Sequence, residues 1–278
     1  MTLPFHSASQ MGCSADGWEW ACYRPRMASE VNPPHSQHVV CAVGAKLDVE
    51  RLADVVGRVG GPGFRLDRDY TQDEPDPRMP EAFEVSADRV VPSFTDRDKA
   101  AVAEHKAVAY ILGPQAGAED AFGVSARMLA VIGALLREGA DAVKSESSGI
   151  AHGRERWLYL ADAAATATDR AGQAPALFAA FVRRPLSSGL VYYSCGLHLL
   201  GEPDVEITAA DDDLGLEWMD GLGRYLLVDR GTNEIHDGDT FGLDANSPTR
   251  TLRHRECSRY RDDDLFYNPW GYWRLLAA

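Results

Sequence analysis

A strand–helix–strand run in the middle of the chain constrains the fold more than anything else in the sequence. Ala107-Val-Ala-Tyr-Ile-Leu112 reads as a strand ended by Gly113-Pro114. Beyond it, Phe122, Met128, Leu129, Ile132, Leu135 and Leu136 recur at spacings of three and four, which predicts a long helix over about 118–138. Arg137 and Gly139 suit its C-terminus, one as a cation against the helix dipole, the other as a C′ glycine. Ala140–Val143 is the next strand and completes a β-α-β unit.

Around this unit helices and strands interleave without strict alternation. His38–Val43 is a strand candidate, and Asp48 leads into a helix with Leu52, Val55, Val56 and Val59, stopped by Gly60-Gly61-Pro62-Gly63. Residues 67–81 read as an acidic loop, with Asp67, Asp69, Asp73, Glu74, Asp76 and three prolines. Thr95, with Asp98 three residues on, suits the start of a short helix that runs towards His105. Trp157–Ala167 is expected to be helical, Leu177–Val182 to extend a further short element, and Leu190–Cys195 and Val205–Ile207 to be strands. Leu214–Val228 reads as helical or mixed, His236–Asp239 as a turn, and Tyr272–Leu276 as a terminal strand. The class expected is α+β, a mixed β-sheet with packed helices, two α/β lobes being the alternative arrangement. Residues 1–90 are expected to form an N-terminal α+β region that opens with an irregular arm carrying Trp18 and Trp20. Residues 91–278 form the expected main domain.

Composition permits such a fold and narrows the partners. A chain of 278 residues buries a substantial core, and 45% apolar with 25% charged residues argues against disorder. The formal net charge of −14 repels nucleic acid, which leaves a basic protein or a small molecule in a local pocket. Arginine supplies 24 of the 28 cationic residues. Either a GC-rich genome or a use for planar bidentate contacts explains that bias. The N-terminal residues do not resemble a signal peptide, and the longest apolar run, Met128–Leu136, falls short of the roughly 20 residues that span a bilayer. Five scattered cysteines (Cys13, Cys22, Cys41, Cys195, Cys257) without a C-x-x-C fit reduced thiols. A cytoplasmic protein with no membrane association is the expectation.

Several segments together resemble a family. His105-Lys-Ala-Val-Ala-Tyr-Ile-Leu112, Leu135 with Gly139-Ala-Asp-Ala-Val143, Ser148-Gly-Ile-Ala-His152, Gly196-Leu-His-Leu-Leu-Gly-Glu-Pro-Asp204 and Asp237-Gly-Asp-Thr-Phe-Gly242 occur in that order. They are similar to bacterial proteins carrying the domain of unknown function 4261, over roughly residues 90–278. The resemblance implies a companion of a secreted toxin, that is, an immunity protein, for example of a type VI secretion system. It implies no catalytic residues. The acidic segment after Asp204 and the Trp/Tyr-rich tail depart from the family pattern, as expected if each member fits its own partner.

The strongest feature read from the residues themselves is Glu202–Gly223. It holds eight carboxylates (Glu202, Asp204, Glu206, Asp211, Asp212, Asp213, Glu217, Asp220) around Trp218, and no Lys or Arg. An acidic rim around an aromatic anchor could steer and hold a basic partner, and a solvated loop with a core Trp is the plainer alternative. Asp262, Asp263 and Asp264, followed by Phe266, Tyr267, Trp270, Tyr272 and Trp273, make a similar mixture, which terminal aromatics closing a core explain as well.

Catalytic candidates are fewer. Cys195 lies three residues before His198 and could be a nucleophile with its base, although that spacing on an extended strand points the two to opposite faces. Glu202, Asp204 and Glu206 at spacing two could meet a divalent cation on one face of a strand, and Asp237-Gly-Asp239 resembles a fragment of a calcium loop without its later glutamate. No phosphate-binding glycine loop, nucleophile elbow or zinc-protease motif is present. The reading that follows is a non-catalytic immunity or antitoxin-like protein needing no cofactor and no metal. It would occlude a basic, cytoplasm-acting toxin, such as a nuclease, through the acidic surface at 202–220 and 262–264. The alternative is a small hydrolase or metal-dependent enzyme using His105, His152, His198 or Asp204, which requires those side chains to converge on one pocket.

Overall fold

The computed structural model describes residues 33–208, 215–228 and 234–277. Alternation in β1 (Val39–Gly44) sets the layering, because Val40 and Ala42 enter one apolar cluster while Val39, Cys41 and Val43 enter another. Both faces of this strand are therefore buried. It is central in a five-stranded antiparallel sheet of order β2-β3-β1-β4-β5, with β2 Arg65–Gln72, β3 Ala107–Leu112, β4 Ala142–Ser145 and β5 Ala151–Gly153. β3 and β4 each run antiparallel to β1. The expected β-α-β unit is thus present, with β1 inserted between its two strands.

The crossover is α4 (Ala118–Arg137), which buries Met128, Leu129, Ile132, Leu135 and Leu136 completely and leaves through Gly139 at φ +112°. Each such side chain contributes roughly 1.5–3 kcal/mol by leaving water. α1 (Val49–Gly60) lies beside it; Asp48 accepts a hydrogen bond from Arg51 N at 3.1 Å to cap its start. On the other face of the sheet, α2 (Met79–Glu84) and α3 (Asp96–Ala103) lay Met79, Phe83 and Val102 against Cys41, Val108 and Tyr110. Thr95 and Asp98 form the reciprocal capping box that their spacing predicts.

The second sheet has six strands in the order β6-β7-β8-β11-β10-β9. These are β6 Arg183–Ser188, β7 Val191–Cys195, β8 Asp204–Thr208, β9 Thr240–Phe241, β10 Arg250–Arg255 and β11 Tyr272–Ala277. β8 and β11 pair in parallel and every other pair is antiparallel, so the sheet is mixed and the fold is α+β. One apolar cluster runs from α1 and α4 through α5 (Arg154–Thr166), α6 (Arg170–Phe181) and α7 (Gly215–Val228) to Val205, Ile207, Leu252, Trp273 and Leu275 of this sheet. A single 3₁₀ turn, Leu197–Leu200, joins β7 to β8 between two glycines at positive φ. A β-carbon at Gly196 would stand 2.1 Å from Phe181 O, and one at Gly201 2.3 Å from Ala118 O. Only glycine lets the turn approach those two backbones.

Two sequence expectations change. The stretch 67–81 is not a loop throughout, because Arg65–Gln72 forms β2, an edge strand with only Leu66 buried. Its carboxylates stay in water, and Arg68 reaches across to Glu50 with bonds of 2.6 and 2.8 Å. A boundary at residue 90 would cut the first sheet, since β1 and β2 precede it and β3, β4 and β5 follow. Trp18 and Trp20 lie outside the described residues.

Candidate functional site

Asp204 and Glu206 share one face of β8 while Val205 and Ile207 enter the core, as the spacing of two requires. That face is not open. Residues 256–271, between β10 and β11, fold over it and supply partners to both carboxylates. Asp204 is wholly buried and accepts from Ser194 Oγ (2.8 Å), Leu197 N (3.2 Å) and Asn268 Nδ2 (2.8 Å). Ser194 Oγ in turn accepts from Val205 N at 2.9 Å, and Asn268 Nδ2 also donates to Glu202 O at 3.0 Å. Four segments are tied at one buried residue.

Glu206 is equally enclosed and holds two arginines: Arg259 Nη2 donates to one carboxylate oxygen at 2.5 Å and Arg274 Nε to the other. The Arg259 guanidinium lies 4.4 Å above the Tyr193 ring and 5.6 Å from that of Tyr272. Arg255 in β10 stands directly across from Tyr272 in β11. Glu206, Arg255, Arg259, Tyr272 and Arg274, with Glu256 and Ser258, line a cavity of about 220 Å³. Burial, and the Asp204 carboxylate after it, push the Tyr272 phenol far above its usual range, so its hydroxyl stays protonated and can donate.

The acidic residues expected at a partner surface therefore divide. Glu202, Asp204 and Glu206 are inside the protein and are removed from any exposed rim. Trp218 is also core rather than anchor; it is 3% exposed, packs edge-on to Phe241 and carries the Arg250 guanidinium 4.9 Å above its ring. Asp220 is half-buried and bonded through both oxygens to Arg184, while Glu217 faces solvent. Asp262 and Asp263 are exposed, and Asp264 turns back to accept from Phe266 N at 2.8 Å. Asp211, Asp212 and Asp213 lie outside the described residues.

The three candidate histidines have different partners. His105 accepts from Asp76 N at 2.9 Å and donates to Val102 O at 2.6 Å, which satisfies both ring nitrogens next to α3. His152 bonds Ala180 O at 3.0 Å and packs edge-on to Trp157. Burial lowers its pKa to about 4, an effect the Ala180 carbonyl opposes. His198 stands 3.8 Å from Asp204 Oδ2, fully buried. A further histidine, His38, belongs near it. Ser125 Oγ donates to Leu199 O at 2.5 Å, so it must accept from His38 Nε2, 2.7 Å away, which fixes the His38 tautomer. Burial, then the neighbouring His198, lower the pKa of His38 to about 3. The Cys195 thiol is raised well above its ordinary value by burial and then by Asp204, the opposite of what a thiolate nucleophile needs. Among the described residues no group of three His, Cys, Asp or Glu side chains is placed to hold a metal ion. Asp237 accepts from His254 N (2.8 Å) and Arg253 Nη1 (2.9 Å), and so closes a turn.

Compared with family models, with curated proteins and with solved structures, the chain matches none. These comparisons identify no family for it. Among the described residues no helix is long and apolar enough to cross a membrane. Sequence reasoning missed Ser194, Asn268, Arg255, Arg259 and Arg274. The one local signal was a period of two, Arg253 with Arg255 and Tyr272 with Arg274, which marks side chains sharing one strand face.

Proposed function

We propose that the chain is a non-catalytic binding protein of the immunity type, which acts in the cytoplasm and occludes a basic toxin, a nuclease being one example. The observation that carries this reading is the distribution of charge. The protein has a formal net charge of −14, and the described residues bury only five carboxylates (Asp76, Asp98, Glu202, Asp204 and Glu206) and no Lys or Arg, fewer than that excess. The surplus of carboxylates therefore lies on the surface, with Asp262, Asp263 and Glu217 among those exposed. A surface of one sign attracts a partner of the other and accelerates encounter. The motif resemblance supports the same class of partner.

The test is kinetic. The partner is first isolated by co-purification from the source bacterium at low and moderate salt, and its association rate is then measured by stopped flow. Neutralising Asp262, Asp263 and Glu217 together (each to Asn or Gln) should slow association several-fold at low salt and flatten its salt dependence. Association that is unchanged by these substitutions sinks the steering surface. A stoichiometric partner that is acidic sinks the whole reading.

A further inference from the structure

The cavity beneath the 256–271 segment has a composition opposite to that of the protein as a whole. Three arginines (Arg255, Arg259, Arg274) face two glutamates (Glu206, Glu256) in its lining, which leaves a formal +1 on a chain of −14. Glu206 locks Arg259 and Arg274 in place, and Tyr193 and Tyr272 stack against Arg259, so these guanidinium groups are fixed beforehand. Arg255 is exposed and, among the described residues, makes no ion pair; its one bond is a long one, 3.4 Å, to His254 O. Two groups in the wall are buried and have no hydrogen-bond partner within the protein: Arg259 Nε and the hydroxyl of Tyr272, a residue only 2% exposed. The arginine N–H can only donate, and the phenol is held in its donor form. What the cavity calls for is an acceptor.

We infer that this cavity binds a singly charged oxyanion, the carboxylate of a small organic acid, with the Arg255 fork open to it and Arg259 and Tyr272 as buried donors. The volume, about 220 Å³, is below the range of roughly 300–1,000 Å³ that encloses drug-sized ligands, so the acid has few heavy atoms. A phosphate dianion carries more charge than the formal +1 neutralises and gives up more hydration on entering, which disfavours it. This inference stands apart from the partner surface, and either can fail without the other.

Titration with acetate, and separately with inorganic phosphate at pH 8, is followed by ¹⁵N NMR at the arginine side-chain Nε–H signals. Acetate should shift a small set of these signals saturably, with a dissociation constant on the order of a millimolar, as befits so small a ligand. Tyr272→Phe removes a hydroxyl that bonds nothing in the protein, so its melting temperature should equal or exceed the parent's while acetate binding weakens about tenfold. Arg255→Gln, on an exposed side chain, should weaken binding about tenfold as well. Acetate that produces no saturable shift overturns the inference and marks the cavity as solvated only. So does binding that survives both substitutions unchanged. Phosphate that binds more tightly than acetate overturns the assignment to a singly charged acid.

Discussion

Replacing Asp204 by alanine tests whether the buried knot on β8 holds the second sheet together. The substitution removes the acceptor of three donors at once: the Ser194 hydroxyl, Leu197 N–H and Asn268 Nδ2. A buried donor left without a partner costs about 1–3 kcal/mol. Asn268 keeps its bond to Glu202 O and the Ser194 hydroxyl can rotate, which places both near the low end. Relief from holding a carboxylate away from water offsets part of the loss. The expected destabilisation is about 3–5 kcal/mol, a large share of the roughly 5–15 kcal/mol that holds a domain folded. Asp204→Asn is the sharper control, because it keeps the shape and one acceptor oxygen but sets an amide NH₂ against that of Asn268. Asn268 cannot turn over to accommodate it, since its Oδ1 already accepts from Trp270 N at 2.9 Å and its Nδ2 serves Glu202 O. That variant should lose about 2 kcal/mol through the mismatched pair alone. Urea unfolding followed by far-ultraviolet circular dichroism reads both, provided the m-value stays constant. An alanine variant within about 1 kcal/mol of the parent, or an asparagine variant equal to it, would refute the account of Asp204 as the tie between β7, the 3₁₀ turn, β8 and the 256–271 segment.

Two further outcomes follow from buried geometry. His38 and His152 have folded-state pKa values of about 3 and about 4, below the ordinary 6.5, so the unfolded chain takes up protons first. The stability they confer is complete above about pH 6.5 and is lost as pH falls towards 4, at up to about 2.7 kcal/mol per pH unit for the pair. Urea midpoints across that range should fall steeply, His152→Gln should remove about half the slope, and flat midpoints would contradict the assignment. For the backbone, Gly196→Ala at φ +124° would drive its β-carbon into Phe181 O and should cost at least about 3 kcal/mol. Gly57→Ala, exposed in α1 with nothing near its β-carbon, should add about 0.5–1 kcal/mol; thermal melts that rank the two the other way refute this reading.

The parts of the fold that were legible are those whose signal is local. β3 is six apolar residues in a row and α4 repeats its apolar positions every three or four, so either can be read without knowing its neighbours. β2, β6 and β10 were not legible, because each has one fully buried side chain or none: Leu66 in β2, none in β6, Leu252 in β10. Such strands owe their conformation to the partner strand, and no periodicity within them reports it. The insertion of β1 between β3 and β4 is invisible for the same reason, being a matter of pairing rather than pattern. The acidic segment shows the same limit in electrostatics. Glu206 looks like a surface charge in sequence, yet its two arginines are 53 and 68 residues away, and Asn268 is 64 residues from Asp204. Burial of a charge depends on partners that only the fold brings near.

Where the arginines sit also bears on why there are so many of them. A biased genome can raise their number but cannot choose their contacts. Arg184 binds both oxygens of Asp220 while its plane lies 4.1 Å over Phe178. Arg170 stacks at 4.0 Å on Phe122 and donates to Leu227 O. Arg154 reaches Ala140 O at 2.8 Å and also Leu136 O, at the end of α4. Arg89 donates to Pro185 O at 3.1 Å, and Arg259 joins Glu206 to two tyrosine rings. Stacking a flat cation while directing several N–H groups at fixed acceptors is beyond an ammonium group. These arginines act as internal fasteners. Arg89, Arg154, Arg184 and Arg259 are half-buried in these contacts and Arg170 stays exposed, so the planar cation ties segments together while part of its charge remains at the surface.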